Sequence, residues 1–463
     1  MSLLSIYNRE TDKDRYPFGL ASAVHFSIEI NGKTIALNNN YGILFVKGEI
    51  SEENTIIPLG LEDPVILRMD DDSVCIAGKR ITDDHESYKP DEGKLWAWKT
   101  GDLIHFETLG LINAFEIEKY KAGNTLQIDD DTAEKAIHYW NLIPPSVAGN
   151  TTEYRFPLAR GYGDPVIFSW EGKWYFISTN DNLNDIGIYV REAETVAGLF
   201  AEGITEHLIL PYDEKRELIQ TFWAPEFHVI GGELYILFAV SGRQWGPQCH
   251  LMKLKKGRKI TDPGSWEDPV KVVRKDGSPL APNAITLDMT YFKTERRSYV
   301  VWSYREHIGT PLDTGSMLYI AAIDEDKPWI LTSEPQLLSR PLFGWENLEG
   351  TINNEGPYAF IRNGKVYLTY SGGSANAYTY AVGLFTADTG DDLLDINSWA
   401  KSISPILSFY SVDEFGPGHN SFFTDENGDL MIAYHGETGI HEHLRCDMIR
   451  KVCFKEDGTP YFV

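Results

Sequence analysis

Apolar and polar residues alternate in a recurring pattern over the last two thirds of the chain. In RGYGDPVIFSWEGKWYFIST, residues 160–179, an apolar run, a polar turn and a second apolar run follow one another. Two such runs around a turn of Gly, Asn, Asp or charged residues predict a β-hairpin. Five such hairpins begin, at intervals of 62 to 67 residues, at Asp164, Glu226, Asp288, Glu355 and Asn420.

The length of this repeat indicates the architecture. An interval of this size holds a four-stranded sheet, and sheets of that size repeated radially form a β-propeller. Stretches with a 3.6-residue apolar period are scarce, which excludes a helical solenoid. The sequence therefore predicts an all-β fold with a five-bladed β-propeller over residues 151–463.

Residues 1–150 are less regular, and they predict a β-rich N-terminal accessory domain. Residues 93–110 have the composition of a further strand. Residues 130–141 predict a helix, which ends before the break at Pro144 and Pro145.

One hairpin of this N-terminal region resembles the first hairpin of the repeat. GLEDPVILRMDDDSVCIAGK, residues 60–79, contains an Asp-Pro at Asp63 as the later hairpin does at Asp164. A six-bladed propeller that recruits this hairpin is the alternative, but the gap between the two aspartates is longer than the repeat. We therefore expect Asp63 to be a structural turn residue.

A polar residue stands where each repeated hairpin begins. In a propeller the innermost strands line a central channel, so the residues that precede them meet at one opening. Each such residue alone could simply cap a turn. Together the four carboxylates among them would repel one another and raise some of their pKa values, an arrangement typical of functional sites. The residues are Asp164, Glu226, Asp288, Glu355 and His419.

The composition narrows the range of partners and locations. A formal charge of -26 repels nucleic acids and anionic membrane surfaces, so neither is an expected partner. The chain begins with no stretch typical of a signal peptide, and no apolar run reaches membrane-spanning length. The cysteines have no zinc-like or CxxC spacing, and we expect free thiols in a cytoplasmic enzyme. These are Cys75, Cys249, Cys446 and Cys453.

Several carboxylates in one pocket suit glycoside hydrolysis, in which one carboxyl donates a proton while another remains ionised. Five motifs contain or adjoin these residues: YGDPVIF, FWAPEFHVIGGELYILFA, LDMTYF, NNEGPYAFIRNGKVYLTYS and GPGHNSFFTDENGDLMIAYH. Through these motifs, residues 151–463 resemble glycoside hydrolase family 43, a family of five-bladed propellers that invert the anomeric centre.

The resemblance implies roles for three carboxylates. Asp164 matches the general base of the family, and Glu355 matches the general acid. Asp288 matches the aspartate that orients the acid and raises its pKa. Two departures occur next to these residues: Gly163 stands where many members have an arginine, and Met289 stands where Gly or Pro is common.

The resemblance also implies residues that bind substrate. Trp223 could stack against a sugar ring, although it could equally pack inside a blade. Glu226 could hydrogen-bond a sugar hydroxyl, or it could only tie down the WAPE turn. Arg445 resembles a late arginine that reaches substrate in several members, although it could equally be a solvated surface residue. His419 matches a histidine at the pocket floor, where some members hold a water or calcium ion. No cofactor is expected, and a structural calcium near His419 is a further expectation.

The motif combination looks more like the exo-acting arabinofuranosidases than the β-xylosidases of the family. We therefore expect an inverting enzyme that releases α-L-arabinofuranosyl residues from arabinose-containing or hemicellulose-derived oligosaccharides. A β-xylosidase and a non-catalytic carbohydrate-binding propeller are the alternatives. Sucrose- and fructan-cleaving propellers are less suitable, because their Asn-Asp-Pro, Arg-Asp-Pro and Glu-Cys motifs are missing. The sequence leaves the oligomeric state open.

Overall fold

The computed structural model describes residues 1–120, 122–142, 154–348 and 352–463, and only the backbone of Glu118. It divides the chain into two units. The first unit comprises Met1–Ala148, Leu342–Thr351 and Tyr410–Asp413, and the second comprises Gly149–Pro341, Ile352–Phe409 and Glu414–Val463. The boundary expected between residues 150 and 151, like Pro144 and Pro145, lies outside the described residues.

The second unit contains five four-stranded antiparallel sheets in the part of the chain that is described. Each repeated hairpin of the sequence forms the first two strands of one sheet, and we number the sheets blades 1 to 5. Blade 1 consists of Tyr162–Trp170, Lys173–Asn180, Ile188–Ala193 and His207–Leu210; blade 2 of Gln220–Ile230, Glu233–Ser241, Gln248–Lys253 and Val270–Lys271; blade 3 of Ile285–Lys293, Ser298–Arg305, Met317–Ile323 and Gln336–Ser339; blade 4 of Asn354–Arg362, Lys365–Gly372, Ala381–Asp388 and Ala400–Lys401; blade 5 of Phe415–Thr424, Leu430–Glu437, Cys446–Phe454 and Pro460–Phe462.

The five blades close into a ring. Each innermost strand contacts that of the next blade, and the innermost strand of blade 5 contacts that of blade 1. The segment before blade 1 adds backbone hydrogen bonds to blade 5: Leu158 N–H donates to Asp447 O (2.9 Å), and Asp447 N–H donates to Ala159 O (3.0 Å). The predicted five-bladed β-propeller is confirmed.

Buried apolar side chains fill the spaces between neighbouring blades. Alternating residues of the inner strands point to the two faces of each sheet, so every blade has an apolar side for each neighbour. Between blades 1 and 2 the core includes Ile177, Val190, Phe227, Ile236 and Phe238, all at most 1% exposed. This packing holds the innermost strands at fixed positions around the opening.

The first unit is β-rich, as predicted. One sheet contains, in spatial order, Thr125–Ile128, Ser2–Tyr7, His25–Ile30 and Lys33–Ala36; another contains Gly60–Arg68, Val74–Ile81, Lys94–Thr100 and Glu107–Asn113; a third pairs Glu49–Ile50 with Ile56–Ile57. The Asp63 hairpin therefore belongs to a sheet of this unit and not to a sixth blade.

Three α-helices lie in the described part of this unit, at Phe18–Ala21, Phe115–Glu118 and Asp130–Trp140. The Asp129 side chain caps the last of these by accepting a hydrogen bond from Thr132 N–H (2.8 Å). Short 3-10 helices lie at Leu37–Asn40, Lys89–Asp91, Asp181–Leu183, Ala197–Phe200, Glu214–Arg216, Pro263–Ser265, Gly344–Glu346 and Ile396–Ser398. None of the helices in the described ranges is long and apolar enough to cross a membrane.

Two segments that follow blade 3 and blade 4 in the sequence group with the first unit. Gly48 N–H donates a hydrogen bond to Leu342 O (2.7 Å). Arg9 Nη1 donates to the Tyr410 hydroxyl (3.0 Å). These pairings join residues hundreds of positions apart, so the local apolar pattern contains no trace of them.

Candidate active site

The propeller unit has a cavity of about 620 Å³ where the innermost strands begin. Six of the seven site residues predicted from the sequence line it: Asp164, Trp223, Asp288, Glu355, His419 and Arg445. The residues come from all five blades, so closure of the ring brings them together. Glu226 is the seventh, and it is not among the residues that line the cavity.

A β-bulge at the start of each innermost strand shapes this opening. The pairing with the second strand shifts register there, for example between Gly163 and Val166 in blade 1. One residue in each bulge takes a positive φ, which is rare for residues other than glycine and is often found at functional sites. At equivalent positions of the five strands these residues are Asp164 (60°), Ala224 (42°), Asp288 (52°), Gly356 (54°) and His419 (45°). Blades 2 and 5 have a second register shift just before, with a positive φ at Thr221 (56°) and Gly416 (59°).

The bulges show that the five residues predicted at the blade openings do not occupy one equivalent position. Asp164, Asp288 and His419 do, but Glu355 precedes the equivalent Gly356 by one residue. Glu226 follows the equivalent Ala224 by two residues. A bulge inserts an extra residue into one strand, so spacing alone does not identify equivalent positions.

The Asp164 carboxylate is buried among cationic and polar partners. Arg445 Nη1 donates to its Oδ1 (2.8 Å), and the Thr179 hydroxyl donates to its Oδ2 (2.6 Å). His419 Nδ1 lies 3.1 Å from Oδ1. Burial raises the pKa of Asp164, but the charges of Arg445 and His419 outweigh that effect and hold the pKa well below its usual range. Asp164 is therefore ionised at neutral pH.

Glu355 has the opposite environment. Burial, followed by the like charge of Asp288, raises the pKa of Glu355 to about 7, while the Tyr380 hydroxyl opposes the rise by donating to Oε1 (2.9 Å). Burial likewise raises the pKa of Asp288 to about 6. Asp288 Oδ2 accepts a hydrogen bond from Gly356 N–H (3.1 Å), which ties it to the residue after Glu355.

These two environments allow acid–base chemistry. A carboxyl with a pKa near 7 can donate a proton at neutral pH, and a carboxylate with a depressed pKa remains ionised beside it. This is the division of roles that glycosidic bond cleavage requires of two carboxyl groups.

Arg445 and Gly163 form one structural feature. Arg445 also donates from Nε (2.9 Å) and Nη2 (2.5 Å) to Asp181, so its guanidinium joins two carboxylates. A Cβ at position 163 would lie 2.1 Å from the Cζ of Arg445. Glycine at this position therefore leaves the space that Arg445 occupies, and an arginine from another blade contacts Asp164.

Trp223 and Glu226 differ in their access to the cavity. Trp223 is half-buried in the cavity wall, and its Nε1 donates to Asp185 Oδ2 (2.9 Å). Glu226 is 2% exposed, and its Oε2 lies 2.6 Å from Nε2 of His228. The negative charge of Glu226 still acts on Asp288 and His419, and it contributes to the raised pKa of both groups.

Several residues that contact the predicted ones were missed by sequence reasoning. They lie at the ends of second strands or in loops, whereas most of the predicted residues lie near the starts of first strands. Strand pairing within the hairpins is the signal that could have found two of them, because Thr179 pairs with Gly163, next to Asp164, and His435 pairs with Gly418, next to His419. The missed residues are Thr179, Asp181, Asp185, Tyr380 and His435.

The donors around His419 do not match a calcium site. Ca²⁺ takes six to eight oxygen ligands. Within the described ranges, no group of three or more His, Cys, Asp or Glu side chains is placed to hold a metal ion. The buried Nε2 of His419 has no hydrogen-bond partner in the described part of the chain, but an imidazole nitrogen is not an oxygen ligand. The calcium expectation is not confirmed.

Comparisons with known proteins agree with this geometry. The family described as Glycosyl hydrolases family 43 matches residues 154–460. The chain belongs to glycosyl hydrolase family 43. The match covers the blades from Tyr162 onward except for the last two residues of the final strand, and it does not include the first 153 residues.

Individual relatives are similar over about two thirds of this chain. An extracellular exo-α-(1→5)-L-arabinofuranosidase of Streptomyces chartreusis is 34% identical over 61% of this chain and 82% of its own length. An enzyme of the same name from Streptomyces avermitilis is 30% identical over 68% of this chain and 64% of its own length. The crystal structure of an α-L-arabinofuranosidase from Lactobacillus brevis has a TM-score of 0.59 and 29% identity, covering 69% of this chain and 98% of that one.

The expectation of a cytoplasmic enzyme is wrong. Both Streptomyces relatives are named extracellular enzymes, which points to secretion. The cysteines misled the prediction, because buried thiols are shielded from oxidants and do not report the redox state of a compartment. Cys249, for example, is 1% exposed, and burial raises its pKa.

Proposed function

We propose that this protein is an inverting exo-α-L-arabinofuranosidase that acts on arabinose-containing saccharides. The observation that carries the proposal is the pairing in one cavity of Glu355, whose pKa is about 7, with the ionised Asp164. The activities named for the Streptomyces and Lactobacillus relatives support arabinofuranose as the sugar released.

In the proposed mechanism Glu355 is the general acid and protonates the leaving oxygen. Asp164 is the general base and activates a water molecule on the opposite face of the sugar. Asp288 is a positioning residue, because it contacts Gly356 beside the acid and raises the pKa of Glu355. Arg445, Thr179 and His419 hold the base in place.

We also propose that the first unit is an accessory domain that supplies no catalytic carboxylate. The proposed acid, the proposed base and the positioning residue Asp288 all belong to the second unit. The family match begins at residue 154, which supports the same division.

The deciding experiment compares initial rates on aryl α-L-arabinofuranoside and aryl β-D-xylopyranoside. The wild type is expected to prefer the arabinofuranoside, and Asp164→Asn and Glu355→Gln are each expected to lower kcat by about 10²- to 10⁴-fold. A preference for the xyloside would identify a β-xylosidase. Saccharide binding without hydrolysis of either substrate would instead indicate a binding propeller. Polarimetry or NMR of the first product formed tests inversion.

A further inference from the structure

A second cavity of about 620 Å³ adjoins the active-site cavity in the propeller unit. The two share a wall formed by Ile285, Arg305 and Ile308. A substrate whose terminal sugar occupies the first cavity therefore has a neighbouring space for the rest of its chain.

The two cavities have opposite charge. Five carboxyl residues line the first cavity: Asp164, Asp181, Asp185, Asp288 and Glu355. Among the described residues, none of those that line the second cavity carries a carboxyl group, although the whole chain has a charge of -26. The second cavity instead contains Lys271, Arg305 and His307.

Arg305 is already neutralised by protein groups. Its Nε and Nη2 donate to the two carboxylate oxygens of Asp313 (2.8 and 2.7 Å), and its Nη1 donates to Asn353 Oδ1 (3.1 Å). A ligand carboxylate would have to compete with Asp313 for this guanidinium. Arg305 therefore forms part of the wall between the cavities.

Lys271 is different, because its ammonium group lies over an aromatic ring. Its Nζ lies 3.6 Å from the ring centroid of Trp245, a cation–π contact. Lys271 also pairs across the sheet with His250, whose ring stacks on Trp245 at a centroid distance of 5.9 Å. These contacts position the lysine in the cavity.

No carboxylate oxygen of the described residues forms an ion pair with Lys271. The charge of Glu217 acts on it from further away, and partial burial lowers the pKa of Lys271. A half-buried ammonium without a carboxylate partner is a favourable hydrogen-bond donor for an anionic ligand. The exposed amides of Gln244 and Asn283 in the same cavity can bond to sugar hydroxyls.

We propose that this cavity binds a carboxylate-bearing sugar on the leaving-group side of the substrate, with Lys271 as the residue that recognises the carboxylate. The inference rests on the proposed arabinofuranosidase function, because it assigns the first cavity to the neutral sugar that is released. The carboxylates of the first cavity repel an acidic sugar, so the charge contrast also fixes the direction in which the substrate lies.

The test compares two substrates that differ only in one charge. One is an oligosaccharide with an arabinofuranosyl substituent and a glucuronic acid residue in the chain that is left after cleavage, and the other is its methyl ester. The wild type is expected to have a kcat/KM about tenfold higher for the acid, which corresponds to about 1.4 kcal/mol. Lys271→Met is expected to bring this ratio close to one.

Lys256→Met is the matched control, because Lys256 is an exposed lysine of the same blade that does not line the cavity. It is expected to leave the ratio unchanged. Hydrolysis of the aryl arabinofuranoside reports the integrity of the catalytic centre in each variant. Equal rates on acid and ester in the wild type, or an equal loss on both in Lys271→Met, would overturn the proposal.

Calorimetry separates this proposal from the proposed function. If the wild type cleaves no arabinofuranoside but binds the acid more tightly than the ester, and Lys271→Met abolishes that difference, the cavity assignment stands and the enzymatic function fails. Equal binding of both overturns the cavity assignment. Free glucuronic acid should compete with the acidic saccharide, whereas equal competition by inorganic phosphate would show a general anion site and contradict sugar recognition.

Discussion

At the scale of single residues, three carboxyl groups of similar chemistry differ because their neighbours differ. Arg445 and His419 keep Asp164 ionised, whereas burial and the charge of Asp288 raise the pKa of Glu355 to about 7. Tyr380 is the hydrogen-bond donor that limits this rise. The proposed acid and base are thus distinguished by contacts from other blades and not by residue type.

The pH profile should report this arrangement. Since Glu355 must be protonated to act as the acid, kcat/KM is expected to fall as pH rises above about 7, with Asp288 and Glu355 titrating as a coupled pair. Tyr380→Phe removes a donor that stabilises the ionised Glu355. The falling limb should therefore move upward by about 0.5 to 1 pH unit.

The measurement is the pH dependence of kcat/KM on an aryl arabinofuranoside. Tyr367→Phe is the control, because Tyr367 lies on the same blade and does not line the cavity. A limb that stays in place or moves to lower pH in Tyr380→Phe would contradict the assignment of Glu355 as the acid.

Gly163 offers a test of the contact between Arg445 and Asp164. The added Cβ of Gly163→Ala would overlap the guanidinium, so Arg445 must move away from Asp164. We expect kcat/KM to fall by about 10²-fold, as misplaced catalytic groups typically cause. Gly390→Ala, where the added Cβ meets nothing within 4 Å, should retain wild-type kcat/KM. A fully active Gly163→Ala in which Arg445 has moved away from Asp164 would show that this contact is dispensable.

At the scale of elements, two hairpins with the same kind of bulge have different roles in this chain. Asp63 has a positive φ of 51° in a bulge between Glu62 and Val65, as Asp164 has in its own bulge. The Asp63 side chain is 72% exposed, however, and its ion-pair partner Lys79 lies 3.9 Å away. The same local sequence therefore forms the same backbone, while the surroundings determine whether the aspartate is buried among charges.

Asp63→Asn is accordingly expected to leave kcat within about twofold and to change the free energy of unfolding by less than about 1 kcal/mol, the range for surface ion pairs. Rates on the aryl arabinofuranoside and urea unfolding check both values. Asp164→Asn is the paired variant, and its turnover should be lost. A loss of activity in Asp63→Asn as large as in Asp164→Asn would give the first unit a catalytic role.

At the scale of the whole molecule, the stability of the propeller depends on buried polar contacts within a blade as well as on apolar packing. In blade 5, Arg450 donates from Nη2 to Glu414 (2.8 Å) and from Nε to the Tyr434 hydroxyl (2.7 Å). All three side chains are at most 2% exposed. A buried charge left without its partner is costly, so each member of the group depends on the others.

Adjacent residues allow a matched test of this group. Arg450→Met leaves Glu414 buried without its cation and should lower the free energy of unfolding by about 3 to 5 kcal/mol. Lys451→Met removes a partly exposed ion pair with Asp429 and should cost less than about 1 kcal/mol. Urea unfolding by tryptophan fluorescence, with loss of hydrolysis marking the propeller unit, measures both. If both substitutions lowered the free energy of unfolding equally, the buried contacts of Arg450 would add no more stability than the exposed ion pair of Lys451.

The sequence alone determined the propeller and six of the residues that line its opening. Hairpins form from local apolar alternation and turn residues, and their regular recurrence specifies a ring of blades. The family motifs lie within these recurring hairpins, so they identified Asp164, Asp288 and Glu355 as residues of one repeated series. Glu226 and Glu355 do not occupy the position equivalent to Asp164, Asp288 and His419, because a bulge shifts register without changing the spacing of the motifs.

Tertiary structure decided which groups carry charge and which residues stand beside them. Arg445 reaches Asp164 from blade 5, Tyr380 reaches Glu355 from a loop of blade 4, and Leu342 joins the first unit. These contacts depend on distances between atoms that are far apart in the chain, and pKa values follow from those distances and from burial. The local pattern specifies elements, whereas the electrostatics of the site exist only once the ring has closed.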